Sequence, residues 1–150
     1  GTANVTVILS DDRISSPYLK LFDTAIILNQ QSMDKFENSV KPGGLLIYDP
    51  NGISVHPIRT DINIFQIEGT KLAAEMGNKK IFNMLILGGF LKEKPIVKLE
   101  NVLEGLKKSL SERYHFLIPL KNCHLYQIIE LYCFACLQHI KGSTHIFKWI

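Results

Sequence analysis

The fold is decided by residues 24–51, TAIILNQQSMDKFENSVKPGGLLIYDPN, which predict one complete strand, helix, strand unit. Residues 24–28 and 45–48 are short, continuous apolar runs, and such runs are typical of strands that are buried on both faces. The turn-forming residues Asp49 and Pro50 end the second run. Because one helix joins the two strands, we expect them to lie parallel with a right-handed crossover.

The helix of this unit is predicted to begin at Ser32, whose hydroxyl is able to cap it. Met33, Phe36 and Val40 follow at helical spacing and would share one apolar face. The KPGG segment at residues 41–44 predicts the end of the helix. Proline cannot continue a helix, and glycine tolerates the left-handed backbone that follows one.

The composition is ordinary for a globular domain. The chain has 150 residues, of which 46% are hydrophobic and 21% charged, and these values disfavour disorder and a fibrous class. The net charge of +3 comes with scattered lysines, so nucleic acid is not a favoured partner. No export signal and no membrane-long apolar run is visible, and three cysteines leave one unpaired in any disulfide scheme. We therefore predict a cytoplasmic protein with neither membrane nor nucleic acid as partner.

Further strands and helices are predicted on both sides of the opening unit. Residues 5–9 are β-branched and apolar, and residues 63–67 alternate well enough for another short strand. Helices are predicted over residues 70–75, 81–91 and 99–110. Together these elements predict a mainly parallel sheet of about four strands that is covered by helices.

Residues 121–150 differ in character from the rest of the chain. They hold all three cysteines, the single tryptophan and three of the five histidines. Apolar residues keep a helical period from Leu125 to Ile140. We therefore predict a divergent helical tail that follows a domain of residues 1–120.

The CxxC formed by Cys133 and Cys136, with His139 and Cys123 nearby, is a candidate for metal or redox chemistry. Three soft ligands on one helical face suit zinc, and a close thiol pair suits a redox dithiol. However, the pair follows no βα turn, and a second CxxC is absent from the sequence. Apolar packing of these cysteines is therefore favoured.

Other polar features favour structural roles. Asp11 and Asp12 beside Arg13 are adjacent in sequence and would point apart on an extended chain, which favours a solvated loop. His56 and His115 have no neighbouring acid or thiol in sequence, which favours loop or half-buried positions. The KPGG segment precedes a strand, whereas a phosphate-binding loop follows one, so its role is interpreted as a helix stop.

Neutral amides follow the two strands of the opening unit and are the more promising candidates. Asn29 and Gln30 come after the first strand, and Asn51 comes after the second. Ligands of open α/β sheets bind outside the carboxyl ends of the strands, where these residues are expected to lie. Amides donate and accept hydrogen bonds without charge, which suits a coenzyme or an interface. That they only cap and turn the chain is an equally open alternative.

A series of segments carries a family resemblance: GTANVTVILSD at residues 1–11, SP at 16–17, LNQ at 28–30, DKF at 34–36, KPGGLLIY at 41–48, AAEMGN at 73–78, NMLILG at 83–88, RYH at 113–115 and LIP at 117–119. In this order they resemble the gamma subunit, or gamma domain, of the 2-oxoacid:ferredoxin oxidoreductases, which include the pyruvate and 2-ketoisovalerate enzymes. The segments span about the first four fifths of the chain and are more specific together than one short motif.

This resemblance implies a part in the oxidative decarboxylation of a 2-oxoacid, 2-ketoisovalerate or pyruvate, on thiamine diphosphate. In the family, electrons leave one at a time through iron–sulfur clusters to ferredoxin, and coenzyme A takes the acyl group. Thiamine diphosphate and the clusters sit mainly on partner subunits of alpha, beta and delta type. The gamma part lies over the active site and helps to receive coenzyme A, so this chain is expected to be inactive alone.

The resemblance also implies where the coenzyme and the partner subunits are met. The first residues of the chain fall in a segment that faces the catalytic subunits, and the amides after the first strand of the opening unit fall in a strand-end loop. No catalytic residue and no metal ligand is predicted. The predicted contacts to coenzyme A or to the subunit interface are Gly1, Thr2, Asn4, Asn29, Gln30 and Asn51.

Two departures from the family pattern are visible. The family begins with a strand and a glycine-rich G-x-G-G-Q-G turn, which do not occur here, so the chain is expected to be truncated or defined by a late start. Beyond residue 120 the family continues with an asparagine-led, alanine-containing helix, which residues 121–125 do not match. The abrupt change of composition at that point leads to the hypothesis of an altered reading frame.

The predicted fold class is α/β: a Rossmann-like, three-layer domain with a mainly parallel sheet, of the type of domain III of pyruvate-ferredoxin oxidoreductase. The predicted function is that of the gamma subunit. The alternative is a non-catalytic coenzyme-binding or subunit-interaction module on the same fold, since fold does not fix function. A further alternative is a zinc or dithiol protein built on the cysteine-rich tail.

Overall fold

The computed structural model describes residues 4–16 and 19–109 and the backbone of residues 145–149. The chain divides into two compact units, Gly1–Glu68 with Lys141–Ile150 and Gly69–Ile140. The first unit contains β1 (Val5–Leu9), β2 (Phe22–Ile27), α1 (Gln30–Phe36), β3 (Val40–Tyr48), β4 (Asn63–Gln66) and β5 (His145–Trp149). The described part of the second unit contains α2 (Gly69–Glu75), α3 (Phe82–Glu93) and α4 (Leu99–Ser109). Short 3-10 turns lie at Glu37–Ser39, Pro50–Gly52 and Lys79–Ile81.

A five-stranded sheet forms the first unit, with the strand order β1-β5-β2-β3-β4. β5, β2, β3 and β4 run parallel to one another, and β1 is antiparallel to β5. The predicted strand, helix, strand unit is β2, α1 and β3, and its two strands are parallel as expected. The prediction of a mainly parallel sheet is confirmed.

The strand β5 corrects the prediction of a helical tail at its last described residues. His145–Trp149 pairs with β1 on one side and with β2 on the other. Its sequence, HIFKW, carries β-branched and aromatic residues that favour a strand, but the helical period upstream obscured this preference. The predicted boundary at residue 120, the helix over residues 125–140 and the hypothesis of an altered frame fall on residues outside the described ones.

The core of the first unit lies where α1 packs on one face of β2 and β3. Ala25 and Ile27 of β2 and Leu46 and Tyr48 of β3 alternate toward this face and form a buried cluster with Met33 of α1. The residues between them on both strands are also buried. The two strands are therefore buried on both faces, as their continuous apolar runs predicted.

The bounds of α1 differ from the prediction. Asn29, not Ser32, is the cap, because its Oδ1 accepts a hydrogen bond from the Ser32 N–H at 2.9 Å. Asparagine caps helices as well as serine does, and a cap stands two or three residues before the N–H group that it binds. The helix ends at Phe36, and Val40 is the first residue of β3 instead of the last on the helix face.

The KPGG segment is an irregularity within β3, and the prediction of a helix stop is wrong. Between the paired residues Val40 and Leu45, residues 41–44 face the single residue Asp23 of β2. Gly43 has a φ of 75°, which a residue with a side chain rarely adopts. Proline and glycine occur in strands at such bulges, where the hydrogen-bond ladder is interrupted.

The described part of the second unit contains the three helices predicted there. α2 ends in a Schellman turn: Gly77 has a φ of 67°, and the N–H groups of Gly77 and Asn78 donate to the carbonyls of Ala74 and Ala73. Half of the residues of α3 are buried, in keeping with its largely apolar sequence. In α4 the apolar residues are half-buried and the charged residues are exposed, as the spacing predicted.

Candidate functional site

The carboxyl ends of β2, β3 and β4 lie side by side at one edge of the sheet, which we call the strand-end edge. Ile27 is in register with Tyr48, and Tyr48 is in register with Gln66. Each of these residues is the last of its strand, so the loops that follow them begin in one row. Ligand sites of open α/β sheets lie at this kind of edge.

The side chains of Asn29 and Gln30, which follow β2, form hydrogen bonds with the backbone at the strand-end edge. Asn29 caps α1, and Oε1 of Gln30 accepts hydrogen bonds from the N–H groups of Ser54 at 2.7 Å and Val55 at 2.8 Å. The Nε2 of Gln30 donates to Oδ1 of Asp34 at 2.7 Å. Gln30 thus fixes the start of the connection after β3. The NH₂ group of Asn29 makes no hydrogen bond to the described residues.

Asn51 lies in the 3-10 turn after β3, and this turn packs against the loop after β2. The buried Asp49 accepts a hydrogen bond from the Asn51 N–H at 3.0 Å and so shapes the turn. A Cβ on Gly52 would lie 2.3 Å from the carbonyl oxygen of Leu28, so the close approach of the two loops requires glycine. The Asn51 side chain is exposed and makes no hydrogen bond within the described part of the chain.

The antiparallel direction of β1 places its first residue at the same edge. Val5 aligns with Trp149, the last residue of β5, and β5 runs parallel to β2. Asn4, the residue before β1, therefore stands at the strand-end edge, with β5 between its strand and β2. Gly1 and Thr2 lie outside the described residues. The structure thus brings the four described residues of the predicted site to one edge.

A polar network that the sequence analysis missed also stands at the strand-end edge. The Tyr48 hydroxyl lies 2.9 Å from Nδ1 of His56 and donates to Oε1 of Gln66 at 3.0 Å. The rings of Tyr48 and His56 meet edge to face, with centroids 5.8 Å apart. Tyr48 is buried, and burial raises the pKa of its hydroxyl, so the hydroxyl remains a hydrogen-bond donor.

His56 itself is exposed in a loop, as the sequence predicted. No acid or thiol stands beside His56 in the sequence, and its partner is a tyrosine eight positions earlier. Tyr48 ends a strand, and the connection after it returns past the strand end. The path of this connection depends on the tertiary fold, and no local sequence motif indicates it.

Arg59 holds the later part of the connection between β3 and β4. Its guanidinium donates to the carbonyls of Glu37 at 2.9 Å and Val40 at 2.8 Å, and to the carboxylate of Asp61. The hydrogen bond between the two side chains raises the pKa of Arg59 and lowers the pKa of Asp61. The Ile58 N–H donates to the Glu37 carboxylate at 3.1 Å. The connection is therefore tied to the rest of the first unit at several points.

The other candidates stay apart from this edge or fall on undescribed residues. Asp11, Asp12 and Arg13 are exposed in a loop, as predicted, where the Asp12 N–H bonds to the Ser10 hydroxyl at 3.1 Å. His115 and the cysteine-rich candidates lie outside the described residues. Among the described residues, no group of three or more His, Cys, Asp or Glu side chains is placed to hold a metal ion. That same part of the chain has no helix long and apolar enough to cross a membrane.

The topology defines the class of protein: an α/β domain with a mainly parallel sheet and a polar, loop-built edge at the strand carboxyl ends. Comparison with known families gives a match over residues 1–119 to the family described as Pyruvate ferredoxin/flavodoxin oxidoreductase. The chain belongs to this family. The resemblance found in the sequence is thereby confirmed.

The chain is similar to curated proteins from Methanocaldococcus and Methanothermobacter. The chain is 27% identical over 119 residues to the 2-oxoglutarate synthase subunit KorC of Methanocaldococcus jannaschii, covering 75% of this chain and 64% of that protein. It is 28% identical over 88 residues to the ketoisovalerate oxidoreductase subunit VorA of Methanothermobacter thermautotrophicus, covering 59% of this chain and 18% of that protein. The chain thus spans less than two thirds of the length of these relatives.

Two solved structures share the fold. The gamma subunit of a keto/oxoacid ferredoxin oxidoreductase from Geobacter sulfurreducens PCA superposes with a TM-score of 0.62 at 16% identity, covering 89% of this chain and 81% of that one. The second is the 2-oxoglutarate:ferredoxin oxidoreductase of Magnetococcus marinus, solved with 2-oxoglutarate, coenzyme A and succinyl-CoA bound. It superposes with a TM-score of 0.56 at 21% sequence identity, and the match covers 81% of this chain and 21% of that one. These likenesses concern the fold, and they confirm the fold class predicted from the sequence.

Proposed function

We propose that the chain acts as the gamma part of a 2-oxoacid:ferredoxin oxidoreductase. In this role it contributes to the coenzyme A side of the oxidative decarboxylation of a 2-oxoacid to an acyl-CoA, with the electrons passed to ferredoxin. The observation that carries the proposal is the family match over residues 1–119. The names of the relatives, a 2-oxoglutarate synthase subunit and a ketoisovalerate oxidoreductase subunit, support it.

The strand-end edge is the part of the chain proposed to meet coenzyme A. The groups left there without a described partner are the amide of Asn51, the NH₂ of Asn29 and one ring nitrogen of His56. Such groups can donate hydrogen bonds to, or accept them from, the amides and the hydroxyl of a pantetheine arm. Coenzyme A supplies the thiol that accepts the acyl group. The residues of this edge bind the arm and orient it.

Thiamine diphosphate and the iron–sulfur clusters are assigned in this proposal to partner subunits of alpha, beta and delta type. Ferredoxin meets the assembled complex, and the chain alone is inactive. The substrate is a 2-oxoacid of the cytoplasm. Pyruvate and 2-ketoisovalerate follow from the sequence resemblance, and the name of the relative from Methanocaldococcus jannaschii adds 2-oxoglutarate to the acids to be tested.

Reassembly tests the proposal. The purified chain is mixed with the subunits that carry thiamine diphosphate and the clusters, and ferredoxin reduction is followed with pyruvate, 2-ketoisovalerate and 2-oxoglutarate in turn. We expect coenzyme A dependent reduction with one preferred acid when the chain is present. The same mixture without the chain is the control. If the chain adds no coenzyme A dependent oxidation with any of the acids, the proposal is wrong.

A subunit-interaction module without a coenzyme role is the second candidate, and β1 favours it. Val5, Val7 and Leu9 alternate along this edge strand and are 55%, 45% and 40% exposed. Apolar side chains on an exposed edge strand are typical of surfaces that another chain covers. Capture of the partner subunits by a chain to which coenzyme A does not bind, alone or in the complex, would favour this candidate over the first.

A further inference from the structure

The network of Tyr48, His56 and Gln66 favours one tautomer of the His56 ring. A tyrosine hydroxyl has one hydrogen to donate, and Tyr48 donates it to Oε1 of Gln66 at 3.0 Å. With that hydrogen used, the 2.9 Å contact with His56 is a hydrogen bond when Nδ1–H donates to the hydroxyl oxygen. The neutral ring then has its lone pair on Nε2. This atom makes no hydrogen bond to any residue that the structure describes.

The backbone on both sides of His56 is held in place. On one side the Val55 N–H donates to Oε1 of Gln30 at 2.8 Å. On the other side the Ile58 N–H donates to the carboxylate of Glu37 at 3.1 Å. The proline that follows His56 also restricts its backbone to extended conformations. The exposed imidazole therefore loses little freedom when it binds a ligand at the strand-end edge.

We propose that His56 is a ligand-binding residue that accepts a hydrogen bond at Nε2 from a neutral donor, an amide N–H or the hydroxyl of the pantetheine arm of coenzyme A. This inference rests on the proposed function and names the chemistry of one contact within it. Tyr48 and Gln66 are positioning residues, because they fix the tautomer of His56 without contacting the ligand. A lone pair on a neutral ring selects a donor group and not a phosphate oxygen.

The tautomer is measured first, by NMR of the chain labelled with ¹⁵N in histidine, at about pH 8, where free imidazole is neutral. We expect Nδ1 of His56 to carry the proton and Nε2 to resonate as an unprotonated nitrogen. Tyr48→Phe removes the hydroxyl and should give the mixture of tautomers of an unconstrained histidine. A proton on Nε2 in the wild type would overturn the inference, because Tyr48 would then donate to Nδ1.

Binding is measured second, by calorimetry on the chain assembled with its partner subunits. His56→Ala should weaken the binding of coenzyme A and of pantetheine about two- to tenfold, the range expected for one neutral hydrogen bond. The adenine nucleotide half of coenzyme A should bind as it does to the wild type. Val55→Ala is the matched control, because Val55 is exposed beside His56 and its bond to Gln30 uses the backbone N–H.

The outcomes separate this inference from the proposed function. Wild-type affinity for coenzyme A in His56→Ala overturns the inference and leaves the proposed function standing. Failure of the wild-type complex to bind coenzyme A overturns both the proposed function and the ligand named here. His56→Gln retains a side-chain acceptor and should recover part of the affinity, and thermal unfolding of each variant shows that the fold is kept.

Discussion

Single residues at the strand-end edge have two different tasks, although several share one residue type. The side-chain amide oxygens of Asn29 and Gln30 accept hydrogen bonds from backbone N–H groups and so stabilise the fold. The amide of Asn51 is exposed and makes no hydrogen bond within the described residues. Removing the first kind of side chain should cost stability, whereas removing the second kind should affect binding alone.

Asn51→Ala tests this division directly. We expect the free energy of unfolding to stay within about 0.5 kcal/mol of the wild type, because no hydrogen bond of the described structure is lost. The affinity of the reassembled complex for coenzyme A should fall about two- to tenfold. Asn38→Ala is the control. Asn38 is exposed in the 3-10 turn before β3, at the end of the strands opposite to the strand-end edge. Equal effects of the two changes on coenzyme A affinity would contradict the assignment.

Gly52→Ala tests the close approach of the two loops. The new Cβ would lie 2.3 Å from the Leu28 carbonyl oxygen, so backbone must move. We expect the free energy of unfolding to fall by about 1–3 kcal/mol, the usual cost of overpacking. Gly105→Ala is the matched control: its Cβ would meet nothing within 4 Å, and alanine in α4 should instead add about 0.5–1 kcal/mol. Denaturant unfolding measures the free energy of unfolding of both variants. A Gly52→Ala variant as stable as the wild type would contradict the close approach of Gly52 to Leu28.

At the scale of elements, the connection between β3 and β4 is irregular and is supported by side chains. It has no ladder of its own, so its backbone N–H groups bind side chains of neighbouring residues. Gln30 holds its beginning, Glu37 its middle and Arg59 its end. Loss of one of these anchors should therefore loosen one part of the connection and leave the others protected.

Gln30→Ala should release the beginning of this connection. The N–H groups of Ser54 and Val55 lose their acceptor, so their hydrogen exchange should become about five- to tenfold faster. The N–H of Ile58, which is held by Glu37, should keep its exchange rate and serves as the internal control. Exchange that accelerates equally at all three amides would show that the anchors do not act separately.

The ion pair of Arg59 and Asp61 makes the stability of the connection depend on pH. The hydrogen bond from Arg59 lowers the pKa of Asp61, so the folded state binds this proton less readily than the unfolded state does. The stabilisation is present above the unfolded pKa of about 4 and is lost as the pH falls through the lower folded value.

Asp61→Asn should therefore be less stable than the wild type at neutral pH, and the difference should shrink as the pH falls below about 4. Urea unfolding of both proteins at several pH values measures it. Asp12→Asn, in an exposed loop, is the control and should follow the wild type throughout. A difference between wild type and Asp61→Asn that does not change with pH would show that the ion pair is not its source.

The elements that the sequence predicted well are those whose signal is local. Continuous apolar runs indicated β2 and β3, and the glycine after α2 indicated its end. The KPGG segment was misread because the same residues that end helices also form bulges in strands, and only the neighbouring strand distinguishes the two. β5 was missed because its pairing with β1 and β2 joins residues far apart in sequence.

At the scale of the whole molecule, the candidate site forms because strand pairing places segments that are distant in sequence at one end of the sheet. The parallel strands bring Asn29, Gln30 and Asn51 together, which the sequence predicted from the rule for strand ends. The position of Asn4 depends on the antiparallel direction of β1, which no local pattern specifies. The contact of His56 with Tyr48 likewise depends on the path of a loop. Residue types were therefore predictable, and their partners were not.

NMR mapping tests whether coenzyme A binds at the strand-end edge. The ¹⁵N-labelled chain, alone and assembled with its partner subunits, is titrated with coenzyme A, and the backbone amide shifts are followed. We expect the shifts to change at residues 29–30 and 51–56, at the strand-end edge, and not at residues 40–44, at the opposite end of the strands. Changes centred on residues 40–44, or none anywhere in the assembled complex, would contradict it.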